Sequence, residues 1–275
     1  MKSLRHILLI TALTIAAFCS CSKVEQTVSG EEVSVSYTVS VPATKTVSDN
    51  GSSINKVWYA LYKTDGKMAT NYAPVDFVGG SARCEVVMMR GQSYKIVFVA
   101  QYYKDSVTPT YPIDAPSACI GVPTSPVANS DEYDLFYGTD DVVAFDGTPN
   151  GSIALERAVA MLNFVCSDED WTGALVRPTH SSVSLSGAAA GWDLLAGAPV
   201  SETTDDLTFA KAPIPEDKHI GSVFFFANGD VDATLNLYDS ADENAAPLRT
   251  VNISDVQVET NKKTNVVGGL IAGNN

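Results

Sequence analysis

The sequence predicts an all-β protein: two antiparallel β-sandwich domains behind an N-terminal signal segment. Three observations carry that prediction. One run alternates apolar and polar residues over Val33 to Val41 without a break. Short apolar runs recur along the rest of the chain, separated by glycine, proline, asparagine and aspartate. The only long apolar stretch stands at the N-terminus.

That stretch is "ILLITALTIAAF", Ile7 to Phe18. As a helix it would span about 18 Å, short of the ~30 Å hydrocarbon core of a bilayer. Lys2 and Arg5 precede it and small residues follow, the layout of a cleaved signal peptide over residues 1–20. The stretch runs out in "FCSC". An ordinary cleavage site needs no cysteine, whereas a bacterial lipoprotein is cut before a cysteine whose thiol takes a diacylglyceryl group. Cys21 has Ser20 before it and Cys19 has bulky Phe18, so the segment resembles a relaxed lipobox with Cys21 as the lipid attachment residue. Burying acyl chains at about 0.8 kcal/mol per methylene makes a multiply acylated terminus a stable tether. No other run approaches ~18 apolar residues, so no further membrane span is expected.

Residues 1–20 hold Lys2 and Arg5 and no acid, so their removal takes the formal net charge from −14 to −16. Such acidity argues against nucleic acid as a partner and against electrostatic adhesion to an anionic membrane. Besides Cys21, the processed chain keeps Cys84, Cys119 and Cys166, which is no disulfide framework. Cys84 and Cys166 sit in apolar alternating runs and read as small core residues.

In "EEVSVSYTVSV", Val33, Val35, Tyr37, Val39 and Val41 share one face of a strand and the serines and Thr38 the other. "KVWYALYK" places Val57, Tyr59 and Leu61 on one face and Trp58 and Tyr62 on the other, and Asp65-Gly66 in "TDGK" supplies a hairpin turn. "ARCEVVMMR" and "YKIVFVAQ" flank "GQS" and read as a second hairpin. Lys104 to Ser130 carries Pro109, Pro112, Pro116, Pro123 and Pro126 and reads as a long loop, either covering the sheet or binding a ligand. "GTPNGS" at 147–152 marks the domain boundary, giving domains 21–150 and 151–275. Beyond it, "SIALERAVAMLNFVCS" fits a helix face and a strand face equally well by periodicity. "SSVSLSG", "GSVFFFAN", "ATLNLYD" and "LRTVNISDVQV" are strands, the last with a phase slip between Ile253 and Val256 that predicts a bulge or two strands. "NKKTNVVGGLIAGNN" is an apolar strand with a glycine break.

Catalytic marks are missing. His180 and His219 have no cysteine at ligand spacing, so no zinc site is expected, and no hydrolase elbow, P-loop or dinucleotide fingerprint appears. The acids of "SDEYDLFYGTDD" (Asp131, Glu132, Asp134, Asp140 and Asp141) read as solvated loop residues or as a calcium or glycan contact. "NGDVDATLNLYD" imitates a calcium loop, but Ala233 stands where that loop needs glycine and Asp239 where it needs a longer acid. Trp58, Trp171 and Trp192 could stack on sugar rings, although tryptophans more often fill cores. The expectation is a protein without cofactor or metal and without enzymatic activity.

With these pieces in place, the lipobox, the alternating first strand, "LERAVAMLNF" and "NKKTNVVGGLI" together resemble the fimbrillin-like lipoproteins of Bacteroidetes. "VWYALYKTDGK" and "GQSYKIVFVAQ" resemble an uncharacterised branch of that superfamily, which includes stalk, anchor and tip subunits of type V pili. The resemblance implies two transthyretin-like sandwiches, with Ile153 to Cys166 as the strand opening the second, and export to the outer membrane as a lipid-anchored surface or fimbrial protein. It also implies a removable first strand, whose groove accepts a strand from another subunit or a second copy by β-strand addition. Val33, Val35, Tyr37, Val39 and Val41 are then the candidates for the removable strand and Val266, Val267, Leu270 and Ile271 for the donor; the alternative is that both are ordinary terminal strands of a finished sandwich. Maturation in the best-known members of that family is arginine-specific, yet no arginine lies between Cys21 and Arg83. Cleavage after Lys45 in "PATKTVSD" by a lysine-accepting protease would release the strand, and without it the protein keeps its lipid and strand, as suits an anchor or a surface lipoprotein. The expected function is pilus assembly or adhesion. The alternative is a surface glycan-binding lipoprotein that uses the proline-rich loop and tryptophans against a glycan or host surface.

Overall fold

The computed structural model describes residues 30–41, 53–145, 147–167, 177–204, 206–215 and 219–269. The alternating run forms β1 (Glu32–Ser40), and β2 (Lys56–Lys63), β3 (Met68–Asn71), β4 (Val75–Asp76), β5 (Ser81–Met89) and β6 (Ser93–Gln101) follow. The proline-rich stretch carries β7 (Tyr103–Lys104), β8 (Thr108–Pro109), β9 (Ile113–Asp114) and β10 (Cys119–Gly121). Then come β11 (Phe136–Val143), β12 (Gly151–Ala154), β13 (Glu156–Arg157) and β14 (Ala160–Cys166). The chain continues through β15 (His180–Ser186), β16 (Gly191–Asp193), β17 (Ala198–Pro199), β18 (Leu207–Pro213) and β19 (His219–Phe225). The last described strands are β20 (Val231–Tyr238), β21 (Arg249–Val256) and β22 (Lys263–Gly268).

Two sandwiches result. In the first, a sheet of order β12-β1-β5 faces one of order β13-β11-β6-β2-β3, with β4 also on β2. Val35, Tyr37, Cys84 and Val86 meet Tyr59, Leu61, Ile96 and Phe98 between the layers. In the second, β19-β14-β22 faces β18-β15-β20-β21 around Phe164, Val183, Phe209, Val223 and Leu235. Cys84 and Cys166 lie in these cores, as their alternating runs indicate.

The β2 and β6 sequences are nearly continuous apolar runs, the signature of strands covered on both faces. Their outer face carries Trp58, Tyr62, Val97 and Val99. A small sheet of order β17-β16-β10-β9 lies over it, bringing Ile120 and Trp192. Met161 of β14 and Phe224 of β19 join the same cluster, so this middle core ties the two sandwiches together. The proline-rich stretch is therefore a cover. Gln101 fastens it: its amide donates to the Tyr111 carbonyl (3.2 Å) and accepts from the Tyr111 N–H (2.7 Å). Tyr111, fully buried, donates its hydroxyl to the Tyr133 carbonyl at 2.8 Å.

Asp65-Gly66 turns β2 into β3 as expected, with Gly66 at φ +81°. The phase slip in β21 is a bulge: Val256 pairs with Val231 but Ile253 with Ala233, and Asp255 sits at φ +55°. Two expectations are corrected. β5 and β6 are not a hairpin, because β5 pairs with β1 in one layer and β6 with β2 and β11 in the other. "GQS" arches between layers, with Gly91 at φ +76° donating to the Ala144 carbonyl at 2.7 Å. Nor is Ile153 to Cys166 one strand: β12 pairs with β1, β13 with β11, and only β14 enters the second sandwich. Leu155 interrupts the run, its N–H held by the Ser40 carbonyl at 2.8 Å.

β13 is fixed by a buried ion pair. Arg157 donates through Nε and Nη2 to the two carboxylate oxygens of Asp134, at 2.7 and 2.8 Å. The guanidinium also lies 5.4 and 5.7 Å from the ring centres of Phe136 and Phe224. Burial pushes the Asp134 carboxyl up, while Arg157 pulls against that shift. Removing one partner strands a buried charge, which costs about 3–5 kcal/mol, whereas replacing both with apolar residues is often neutral. Arg157→Met should therefore lower unfolding stability by about that amount, and adding Asp134→Leu should restore most of it; urea titration of the three proteins checks both.

Candidate functional site

The candidate site is the groove that holds β1. β1 is central in its three-stranded layer, antiparallel to β5 from Glu32↔Met89 to Ser40↔Ser81 and parallel to β12 from Tyr37↔Gly151 to Ser40↔Ala154. Val35, Tyr37 and Val39 are buried, and Val33 and Val41 pack partly against the same core. The register is set by side chains as well as by the ladders. The Ser36 N–H donates to Asn150 Oδ1 at 3.0 Å. Tyr37 donates its hydroxyl to Asp140 Oδ2 at 2.7 Å, and its ring lies 5.2 Å from that of Phe98. Burial, reinforced by the hydrogen bond and charge of Asp140, pushes the Tyr37 hydroxyl well above the usual phenol range.

The outer edge of β5 is closed by tyrosines. Tyr72 donates its hydroxyl to the Val87 carbonyl (3.0 Å) and accepts from the Val87 N–H (2.9 Å). Tyr59 donates to the Glu85 carbonyl (3.2 Å), and Tyr94 accepts from the Met89 N–H (3.3 Å). The Tyr59 and Tyr72 rings stack at 4.7 Å. These groups occupy the positions a further strand would need, a side-chain form of edge protection. The outer edge of β5 is thereby closed to a further strand, whereas β12 forms the other edge of the layer.

The other expected residues are dispersed. Val266 packs against the second core and Val267 is 64% exposed, both in β22, parallel to β14 at the edge of its sheet. β22 has its own polar lock: Asn163 donates to Asn265 Oδ1 (2.9 Å) and accepts from Ser222 Oγ (2.6 Å). Cys21, Lys45, Leu270, Ile271 and Trp171 lie outside the described residues. Trp58 and Trp192 are buried, Trp58 donating to Asn71 Oδ1 at 2.7 Å, so neither offers a face to a sugar. The acids of the "SDEYDLFYGTDD" segment separate into structural tasks: Asp134 holds Arg157, Asp140 holds Tyr37 and Asp141 holds Lys95. Asp232 accepts from the Asp255 N–H in the β21 bulge. Among the described residues no three His, Cys, Asp or Glu side chains are grouped to hold a metal, and no helix is long and apolar enough to cross a membrane. Sequence reasoning missed Asn150 and Gly151 and gave Asp140 another role, because a turn signal and an acidic run conceal their contacts with a strand over a hundred residues away.

The chain belongs to a family described as "Family of unknown function (DUF6562)", matched over residues 25–275. No curated protein matches it. Among solved structures it is similar to a fimbrial assembly protein from Parabacteroides distasonis, at 12% identity and a TM-score of 0.45, covering 86% of this chain and 92% of that one. It is also similar to the fimbrial anchor protein Mfa2 from Porphyromonas gingivalis, at 11% identity and a TM-score of 0.47, covering 86% and 91%.

Two outcomes are expected. Tyr72→Phe should lower stability by about 0.5–1.5 kcal/mol and speed hydrogen exchange at the Val87 amide, since one hydroxyl serves both Val87 groups. Among the described thiols, burial pushes Cys84 up to about 12 and Cys166 is likewise buried, whereas Cys119 is only half-buried. Iodoacetamide labelling of the folded chain, read by mass spectrometry, should therefore reach Cys119 first and the other two only on unfolding.

Proposed function

We propose that the protein is a non-enzymatic, lipid-anchored outer-membrane protein that serves pilus assembly or adhesion through exchange of the strand at the β1 position. The observation that carries this reading is the placement of β1. It is the first described strand, it fills the centre of a three-stranded layer, and it is flanked by strands of opposite direction. Taking it out would leave a groove with an apolar floor, walled by the backbone of β5 along its whole length and by that of β12 from Tyr37 to Ser40, the recognition chemistry of β-strand addition. Sealing of the outer β5 edge by tyrosines supports the same reading, because it removes one competing edge from the layer.

The lipobox-like segment supports acylation at Cys21 and a tether on the membrane. Residues 21–150 and 151–275 are two sandwich domains in this reading, with β12 and β13 of the second segment completing the sheets of the first. Lys45 is the cleavage point that frees β1. The segment with Val266, Val267, Leu270 and Ile271 is the donor to another pilus subunit.

Limited digestion of the unlipidated mature chain with a lysine-specific protease tests this. Cleavage after Lys45 is expected, and the cut chain should then exchange residues 21–45 for an added peptide of residues 31–41, followed by mass spectrometry and native gel. A chain left uncut at Lys45 would remove that residue as the maturation point. A cut chain that never exchanges β1 would overturn the strand-exchange reading.

A further inference from the structure

We propose that the β1 groove selects its strand by a single tyrosine. The exchanging occupant is a strand from a different chain that places tyrosine where Tyr37 lies, and residues 262–275 of a second copy are not an occupant. This rests on the strand exchange proposed above and names the partner it would take.

Gly151, the residue facing Tyr37 across the parallel ladder, is the selective element. A Cβ built on Gly151 would stand 2.2, 2.5 and 2.8 Å from Cε1, Cδ1 and Cζ of the Tyr37 ring. The ring thus occupies the space a side chain at position 151 would need, and only glycine leaves that notch open. Beyond it, Asp140 Oδ2 accepts the phenolic proton at 2.7 Å, and Phe98 lies along the ring at 5.2 Å. Asn150 takes the Ser36 N–H next door, a contact any strand can make, so it sets the register without reading the sequence. Together these groups form a slot of fixed position, with a bare floor, an aromatic side wall and an acceptor at its end. A strand without an aromatic residue there leaves a ring-sized void in a core that is otherwise filled.

The segment 262–275 is a poor match in either phase. One face would present Val266, Gly268, Leu270 and Ala272, and the other Val267, Gly269, Ile271 and Gly273. Neither carries an aromatic residue, and both set glycine beside the apolar pair, whereas β1 presents Val33, Val35, Tyr37, Val39 and Val41. Asn265 of that segment is also bound to Asn163 in its own sandwich, a contact that would have to break before donation.

The test uses the full mature chain with a specific protease site inserted in the 42–52 segment, cut after folding so that β1 is held by non-covalent contacts alone. A fluorescent peptide of residues 31–41 is exchanged into the cut chain and then competed with unlabelled peptides. The wild-type peptide should compete fully, the Tyr37→Phe peptide within about tenfold of it, and the Tyr37→Val peptide about 100-fold more weakly or worse. A peptide of residues 262–275 should not compete. In a Gly151→Val chain, which fills the notch, the preference should invert in favour of a Tyr37→Ala peptide. Competition by the 262–275 or Tyr37→Val peptide within about threefold of wild type would overturn the tyrosine selection while leaving strand exchange standing. Failure of the wild-type peptide itself to enter would overturn both.

Discussion

The β2–β6 ladder is the constraint from which the rest of the molecule is built. Its eight rungs run from Lys56↔Gln101 to Lys63↔Tyr94, and both of its faces are buried. One face closes the first sandwich through Tyr59, Leu61, Ile96 and Phe98; the other supports the middle core through Trp58, Tyr62, Val97 and Val99. A sheet covered on one side only could have carried a single sandwich with a solvated back. Because this one is apolar on both sides, the chain must supply a second cover. It does so with the proline-rich stretch and β16, and with the outward residues of β14 and β19 from the second sandwich. Substitutions on the outer face of β2 therefore act on both halves of the chain, although the residues lie in only one.

Much of this architecture was legible because period-two alternation is a local property. The alternation in Val33 to Val41, the continuous apolar character of β2 and β6, the Asp65-Gly66 turn and the slip before Val256 each declare themselves within a few residues. Strand partners do not. Alternation says which face of β5 is buried, but not that β5 and β6 part into different layers, since a short glycine linker serves an arch as readily as a hairpin. The parallel pairing of β12 with β1 is likewise silent in sequence. No turn joins them, and Gly151 reads as part of a connecting loop until Tyr37 is found against it.

The candidate site divides along the same line. Which side chains of β1 face the core could be read from spacing alone. What the groove demands of them could not, because Asp140 meets Tyr37 across 103 residues and Asn150 meets Ser36 across 114, with Gly151 facing Tyr37 beside it. The acidic run around Asp134 shows the limit of composition. Its carboxylates lie close together in sequence, yet folding sends Asp134 into the interior with Arg157 and leaves Asp140 and Asp141 on β11, each holding a different strand. Charge clustered along a chain need not be charge clustered in space.

The way β1 is seated also has a mechanical consequence. Its ladder with β5 runs its whole length, β12 flanks Tyr37 to Ser40 on the other side, and its N-terminal end leads toward the segment that holds Cys21. Tension entering at Glu32 along the strand axis loads these rungs in shear and together, instead of peeling them one at a time. Tension entering at Ser40 across the sheet would open the same bonds in succession, like a zipper. A strand held in this way resists a steady pull along its length far better than a sideways one, so the direction of force, as much as its size, decides whether it stays.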